Sequence, residues 1–179
     1  MSRSNFDGVD PARDRAPAAG SHALSTSTMI ALPDGLAAAI EEDHAALHEF
    51  MRGNPEPKKR IYSREDDATL ANPLGPPARG WADLSRRLDE ASAILRDAAS
   101  LSFEQVSAVI TRDLAYTVEI EHYQGQQFAG SDQRHDVDLR VTTIFRRESM
   151  GWRIVHRHAD TITTARSLTN SSGVVIGQP

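Results

Sequence analysis

The spacing of hydrophobic positions changes period once along this chain, near residue 103. Before that point apolar residues recur at helical intervals. Leu36, Ile40, Leu47 and Met51 fall on one face of a predicted helix, with Glu41, Glu42 and Glu49 opposite. Asp34 is placed to cap its first turn, and Gly53, Pro55 and Pro57 end it near Arg52. Ser63 is placed to cap a short helical turn through Asp67, and Ala68–Leu70 reads as a short extended run. The Pro- and Gly-rich stretch from Asn72 to Gly80 predicts a loop. A second long helix is expected from Trp81 to Ala99, its apolar face formed by Leu84, Leu88, Ala91, Leu95 and Ala98.

From Phe103 the period becomes two, the signature of half-buried strands. Val106, Ala108 and Ile110 alternate with polar residues, and Arg112-Asp113 marks a turn. A second strand runs from Ala115 to His122, and Gln124–Arg134 reads as a glycine-containing connection. The third strand spans Asp136–Arg147, a hairpin turn takes Glu148–Gly151, and the fourth strand runs from Trp152 to Thr161. Helices followed by a run of long strands make this an α+β chain. Such a sheet curls round its helices, giving a cone-shaped curved antiparallel sheet, an α+β roll, with a cavity at its open end. Residues 1–33 show neither period and read as a disordered tail, and residues 163–179 as a flexible one, leaving 34–162 as the domain. Met29 stands just before the ordered segment, so the tail is either a leader or a stretch preceding the true start.

Composition narrows the classes. The chain has no cysteine, which removes disulfides, thiolate metal sites and a cysteine nucleophile. No apolar run approaches the ~18 residues of a membrane span, and the first residues lack the layout of a secretory signal. A cytoplasmic protein without membrane contact is therefore expected. With a net charge of -5 and basic residues scattered in pairs and triplets, no nucleic-acid partner is expected either. Dinucleotide, P-loop and nucleophile-elbow motifs are absent from suitable contexts.

Candidate chemistry concentrates on the last hairpin. His156, His158 and Asp160 alternate on one strand and share a face. Two imidazoles with a carboxylate suit proton transfer near neutral pH, or simply bond to backbone or a subunit contact. Which side chains of the preceding strand join them depends on register. One pairing brings Arg140, Thr142 and Ile144 to the histidines' face, and the other brings Leu139, Val141, Thr143 and Phe145. Tyr62, Trp81 and Tyr116 are candidate walls for a flat ligand, or core residues. His44 and His48 stand at i, i+4 on the first helix but lack the glutamate of a zinc-protease motif. Glu119 and Glu121 fall on the polar side of their strand by alternation and are left out of the site.

The run from Arg140 to Asp160, with its Arg-x-Thr, short turn and Gly-Trp-x-Ile-x-His-x-His, resembles the closing hairpin of SnoaL-like domains. Tyr62-Ser-x-x-Asp-Asp67 and the Leu74-Gly75 to Gly80-Trp81 loop fit the same family, so the resemblance spans about residues 34–162. That family shares its fold with nuclear transport factor 2 and the ketosteroid isomerases. The resemblance implies the cone-shaped fold, a homodimer and a small-molecule pocket, with Arg140 and Thr142 facing the cavity. It implies Asp67 as a carboxylate acid or base at the cavity mouth, with a solvated helix-end carboxylate as the alternative. Arg140 would then steady an oxyanion while Asp67 or the His156/His158 pair moves the proton, with Asp160 beside them. The expected activity is cofactor-free isomerisation, dehydration, cyclisation or hydrolysis of a flat or cyclic organic molecule, with no metal. The alternative is a non-catalytic binding or assembly module that uses Arg146, Arg147, Arg153 and Arg157 as a partner face.

Overall fold

The computed structural model describes residues 35–162, and beyond them only the backbone of Leu168–Thr169 and Val175–Ile176. The expected N-terminal tail and Met29 lie outside the described residues, as does most of the expected C-terminal tail.

The first helix, α1 (Leu36–Phe50), starts after Gly35, which sits in the left-handed region at φ 81° and supplies no side-chain cap. The expected cap at Asp34 is thus one position too early. Leu36, Ala46, Leu47 and Phe50 bury its apolar face, and Asp43 lies on that same face. Gly53 ends the helical path, but the prolines after it do not prevent another helix. Pro57 sits in the first turn of α2 (Glu56–Ile61), where a missing N–H costs nothing. The expected helix at Ser63–Asp67 is instead a turn, in which the Ser63 hydroxyl accepts from the Glu65 N–H at 3.2 Å.

The short strand β1 (Thr69–Ala71) pairs with a two-residue strand, β2 (Ala78–Arg79), inside the stretch expected to be all loop. Helix α3 (Trp81–Ile94) is five residues shorter than predicted. Leu95 stays buried, but as the first residue of strand β3 (Leu95–Asp97), so apolar spacing continues past the point where the backbone becomes extended.

Four long strands follow: β4 (Ser100–Ile110), β5 (Leu114–Phe128), β6 (Arg134–Glu148) and β7 (Gly151–Thr161). The expected Gln124–Arg134 connection is mostly strand. β5 runs on to Phe128 and β6 begins at Arg134. The sheet order is β2-β1-β7-β6-β5-β3, with β4 also paired to β5. β1 joins β7 in parallel, so the sheet is mixed at that edge and antiparallel elsewhere. Beyond it, β8 (Leu168–Thr169) and β9 (Val175–Ile176) pair as a small ribbon of their own. The helices' apolar faces and Tyr62, at the end of α2, meet the sheet's inner residues, among them Tyr123, Phe145 and Ile154, in one core. The architecture is the expected α+β cone. Among the described residues no helix is long and apolar enough to cross a membrane.

Two irregularities in this sheet decide which side chains face the helices. Pairing of β5 with β6 shifts between Tyr123 and Gln126, where Gly125 takes φ 61°. Inward positions therefore run Ala115, Thr117, Glu119, Glu121 and Tyr123, then jump by three to Gln126. On β7 the register shifts between the pairs Phe145–Ile154 and Ile144–His156, leaving Val155 as the extra residue. Trp152 and Ile154 face in, and after the bulge Arg157 and Ala159 do. Each bulge turns one polar residue inward, as an inserted residue must when the side-chain period is two.

Candidate ligand cavity

The inner face of the sheet and the helices enclose a cavity of about 380 Å3, within the ordinary range for small-molecule pockets. Leu47, Phe50, Leu88, Phe128, Val137 and Leu139 supply most of its apolar wall. Polar side chains on the wall include the buried Lys58, Tyr62, Tyr123, Gln126 and Arg157, with the less buried Asn72 and Thr161.

Behind these groups lies a buried charge network. The Lys58 ammonium donates to Asp43. Arg157 donates through one terminal nitrogen to Glu121 at 2.8 Å, and the Tyr123 hydroxyl donates to the same carboxylate. Glu119, also buried, meets His44 Nε2 at 3.2 Å, and that imidazole stacks on Phe103 at 3.7 Å between centroids. Charges with so little access to water persist only when paired, because desolvation of a lone ion is costly. The network shifts its own protonation. Burial pushes the Lys58 amine down, against the pull of Asp43. Burial also opposes the Arg157 charge, but Glu121 and the nearby tyrosines outweigh it and hold the guanidinium protonated. Tyr62 and Tyr123 are both raised, by burial first.

Among the described residues, three buried polar atoms on this wall have no hydrogen-bond partner: Tyr62 Oη, Gln126 Oε1 and the second terminal nitrogen of Arg157. The amide assignment of Gln126 follows from its Nε2, which donates to the Gln127 carbonyl at 2.7 Å. Orphaned polar atoms inside proteins are rare and costly, and here all three belong to residues that line the one cavity.

The residues singled out from sequence fall mostly elsewhere. The register pairs Arg140 with Asp160, Thr142 with His158 and Ile144 with His156, the first of the two alternatives. The Val155 bulge turns that whole set to the outer face, so the expectation that Arg140 and Thr142 point into the cavity is corrected. Arg140 and His158 both reach Asp160 there, at 3.3 and 3.2 Å. His156 bonds the Thr69 hydroxyl at 2.7 Å, and burial with the nearby His158 pushes its pKa down.

Asp67 is corrected too. It is exposed and held by both terminal nitrogens of Arg146, at 2.6 and 3.1 Å, which lower its pKa rather than raising it. The space beside it is an open acidic depression with Glu65, Asp66 and Glu148. Trp81 lies under the Arg64 guanidinium, 3.3 Å from the ring centroid, and Tyr116 is on the outer face, so neither lines the cavity. Tyr62 does line it. Glu119 and Glu121, left out by alternation, are buried. The proposed arginine face is not continuous, since Arg157 is inside and Arg146 is tied to Asp67 and Glu148. Among the described residues no cluster of three or more histidines and carboxylates could hold a metal.

The residues missed from sequence left partial signals. Asp43 stands seven residues from both Leu36 and Phe50, squarely on the apolar face of α1. Glu119 and Glu121 share parity with Tyr123 and Ala115 on β5. Lys58 had none, because α2 itself was not foreseen.

A curled sheet closed by helices over an apolar cavity defines a class of small-molecule pocket proteins, and the SnoaL-like domain model matches residues 61–162, more than half of the chain. The chain belongs to the SnoaL-like domain family. No curated protein matches it. Among solved structures, a ketosteroid isomerase-like protein from Erwinia carotovora atroseptica superposes with TM-score 0.60 at 17% identity, covering 73% of this chain and 98% of that one. A nuclear transport factor 2-like superfamily protein from Salmonella enterica gives 0.58 at 15% identity, covering 72% and 89%. A nuclear transport factor 2-like protein from Rhodospirillum rubrum gives 0.55 at 20% identity, covering 73% and 100%. At such identities the likeness establishes the shared fold.

Proposed function

We propose that this chain takes a flat or cyclic organic molecule into the inner cavity and moves a proton on it without a cofactor. The observation that carries the reading is the apolar cavity of about 380 Å3 with Lys58 on its wall and Asp43 buried behind it, paired to Lys58. The Lys58 ammonium, its pKa pushed down by burial, can pass a proton to Asp43 and then, as the free amine, take one from the ligand, and the pair returns it in reverse. Double-bond isomerisation of an unsaturated ketone and dehydration of a β-hydroxy ketone can both begin with removal of a proton beside the carbonyl, and Arg157 or Tyr62 would meet the oxygen on which charge builds.

2-Tetralone, a flat ketone with an acidic C–H, tests both halves by NMR in deuterated water. The expected result is ligand line broadening together with faster α-hydrogen exchange, the exchange lost in Lys58→Met/Asp43→Leu. That double variant removes the pair together and so spares the fold. Broadening without exchange would leave a binding pocket and sink the catalytic half; neither effect would sink both.

A second reading has its own observation. Val106, Val109, Leu114 and Tyr116 are exposed together on β4 and the start of β5, and Val109 pairs directly with Tyr116. Such a patch suits a second copy of this chain, and with it a homodimeric assembly module. Sedimentation should then show a dimer that Val109→Lys converts to monomer, whereas a monomeric wild type would rule the module out.

A further inference from the structure

The polar wall of the cavity also specifies the charge of what it holds. Building on the proposed pocket, we infer that the ligand is electrically neutral and carries a hydroxyl or amide at one end of an apolar body. Two cations line the cavity, Lys58 and Arg157, and each is already bonded to a buried carboxylate, Asp43 and Glu121 respectively. Glu119 adds a third buried carboxylate, with only the half-buried His44 beside it. An arriving carboxylate or phosphate would therefore find no uncompensated cation on the wall, and would bring its own charge into a site already balanced or negative.

A cationic ligand fails for a different reason. The second terminal nitrogen of Arg157 can only donate, and the Tyr62 hydroxyl is free to donate. An ammonium offers them no acceptor. Gln126 Oε1, by contrast, needs a donor. A hydroxyl group accepts from Arg157 or Tyr62 while donating to Gln126, and a primary or secondary amide does the same with two atoms. Either satisfies the orphaned set without adding charge. The two β-bulges support a built site, because they are what turn Gln126 and Arg157 inward against the simple alternation of their strands.

Four probes sharing one ring system separate this inference from the pocket reading beneath it: naphthalene, 2-naphthol, 2-naphthoate and 2-naphthylmethylamine. Affinities are measured at neutral pH on the full chain. 2-Naphthol should bind about tenfold more tightly than naphthalene, the yield of one or two hydrogen bonds to otherwise unmatched groups. The anion and the cation should each bind at least about tenfold more weakly than the naphthol. In Gln126→Leu the naphthol should bind no more than about twofold more tightly than naphthalene measured on the same variant. Equal binding of naphthalene and naphthol would overturn the inference and leave the pocket standing, as would tighter binding of either charged probe. Failure of all four to bind would overturn the pocket reading as well.

Discussion

The two faces of the sheet carry similar side-chain types and treat them oppositely. Outside, Arg140, His158 and Asp160 interact at 3.2–3.3 Å with water around them. Inside, Arg157, Glu121 and Tyr123 interact at similar reach with almost none. An exposed pair gains little over its hydrated partners, whereas an inner pair must repay the removal of both ions from water. The outer cluster is thus cheap to keep and the inner one costly, which marks the inner face as the place where charged groups serve a purpose other than solubility.

The largest expected difference between the faces is in stability. Arg157→Met leaves Glu121 buried without its cation and should cost about 3–5 kcal/mol in denaturant unfolding. Arg140→Ala, removing an outer arginine, should cost less than about 1 kcal/mol. Lys58→Met should be damaging on a similar scale, about 3–5 kcal/mol, because Asp43 is stranded; adding Asp43→Leu should recover most of that loss. A double variant as unstable as the single one would mean that the pair holds the fold rather than the site.

The inner tyrosines give a pH signature. Their folded-state pKa values lie above the ordinary value of 10.0. Their contribution to stability is therefore complete below that value and is lost as pH rises beyond it, since the unfolded chain sheds those protons first. Lys58 works the other way, its lowered pKa favouring the unfolded chain until pH passes 10.5. Ultraviolet difference titration should accordingly show Tyr62 and Tyr123 ionising only as the protein unfolds in alkali. Ionisation in a still-folded protein would place them in contact with water.

The smallest stability effect is the most informative. Tyr62→Phe removes a buried hydroxyl that has no partner, so it should leave the protein unchanged or up to about 1 kcal/mol more stable. A clear loss would show that the hydroxyl is satisfied within the folded chain.

Much of the fold could be read from the sequence because periodicity reports burial. The apolar faces of α1 and α3 and the four long strands follow directly from their spacing. Periodicity cannot see an extra residue, however, and the site depends on two of them. Counting by twos along β7 from Trp152 places His156, His158 and Asp160 inside; the Val155 bulge puts them outside and Arg157 inside. Counting along β5 misses Gln126 for the same reason, although Gly125 hinted at the bulge. Alternation assigns Glu119 and Glu121 to the polar side of β5, although they share parity with the buried Ala115 and Tyr123, and Asp43 holds an apolar-face position on α1 where a charged residue is unexpected. Asp67 goes in the opposite direction: of its two readings, cavity-mouth acid and solvated carboxylate, it matches the second, as an exposed partner of Arg146.

We propose that ligand recognition belongs to the inner face of the sheet. The most direct test is the affinity for 2-naphthol, measured by calorimetry, of Tyr62→Phe and of His158→Ala beside the wild type. Tyr62→Phe should lose about fivefold to tenfold in affinity, the yield of one hydrogen bond, and His158→Ala should bind as the wild type does. Unchanged binding in Tyr62→Phe together with loss in His158→Ala would contradict it and return the site to the outer histidines.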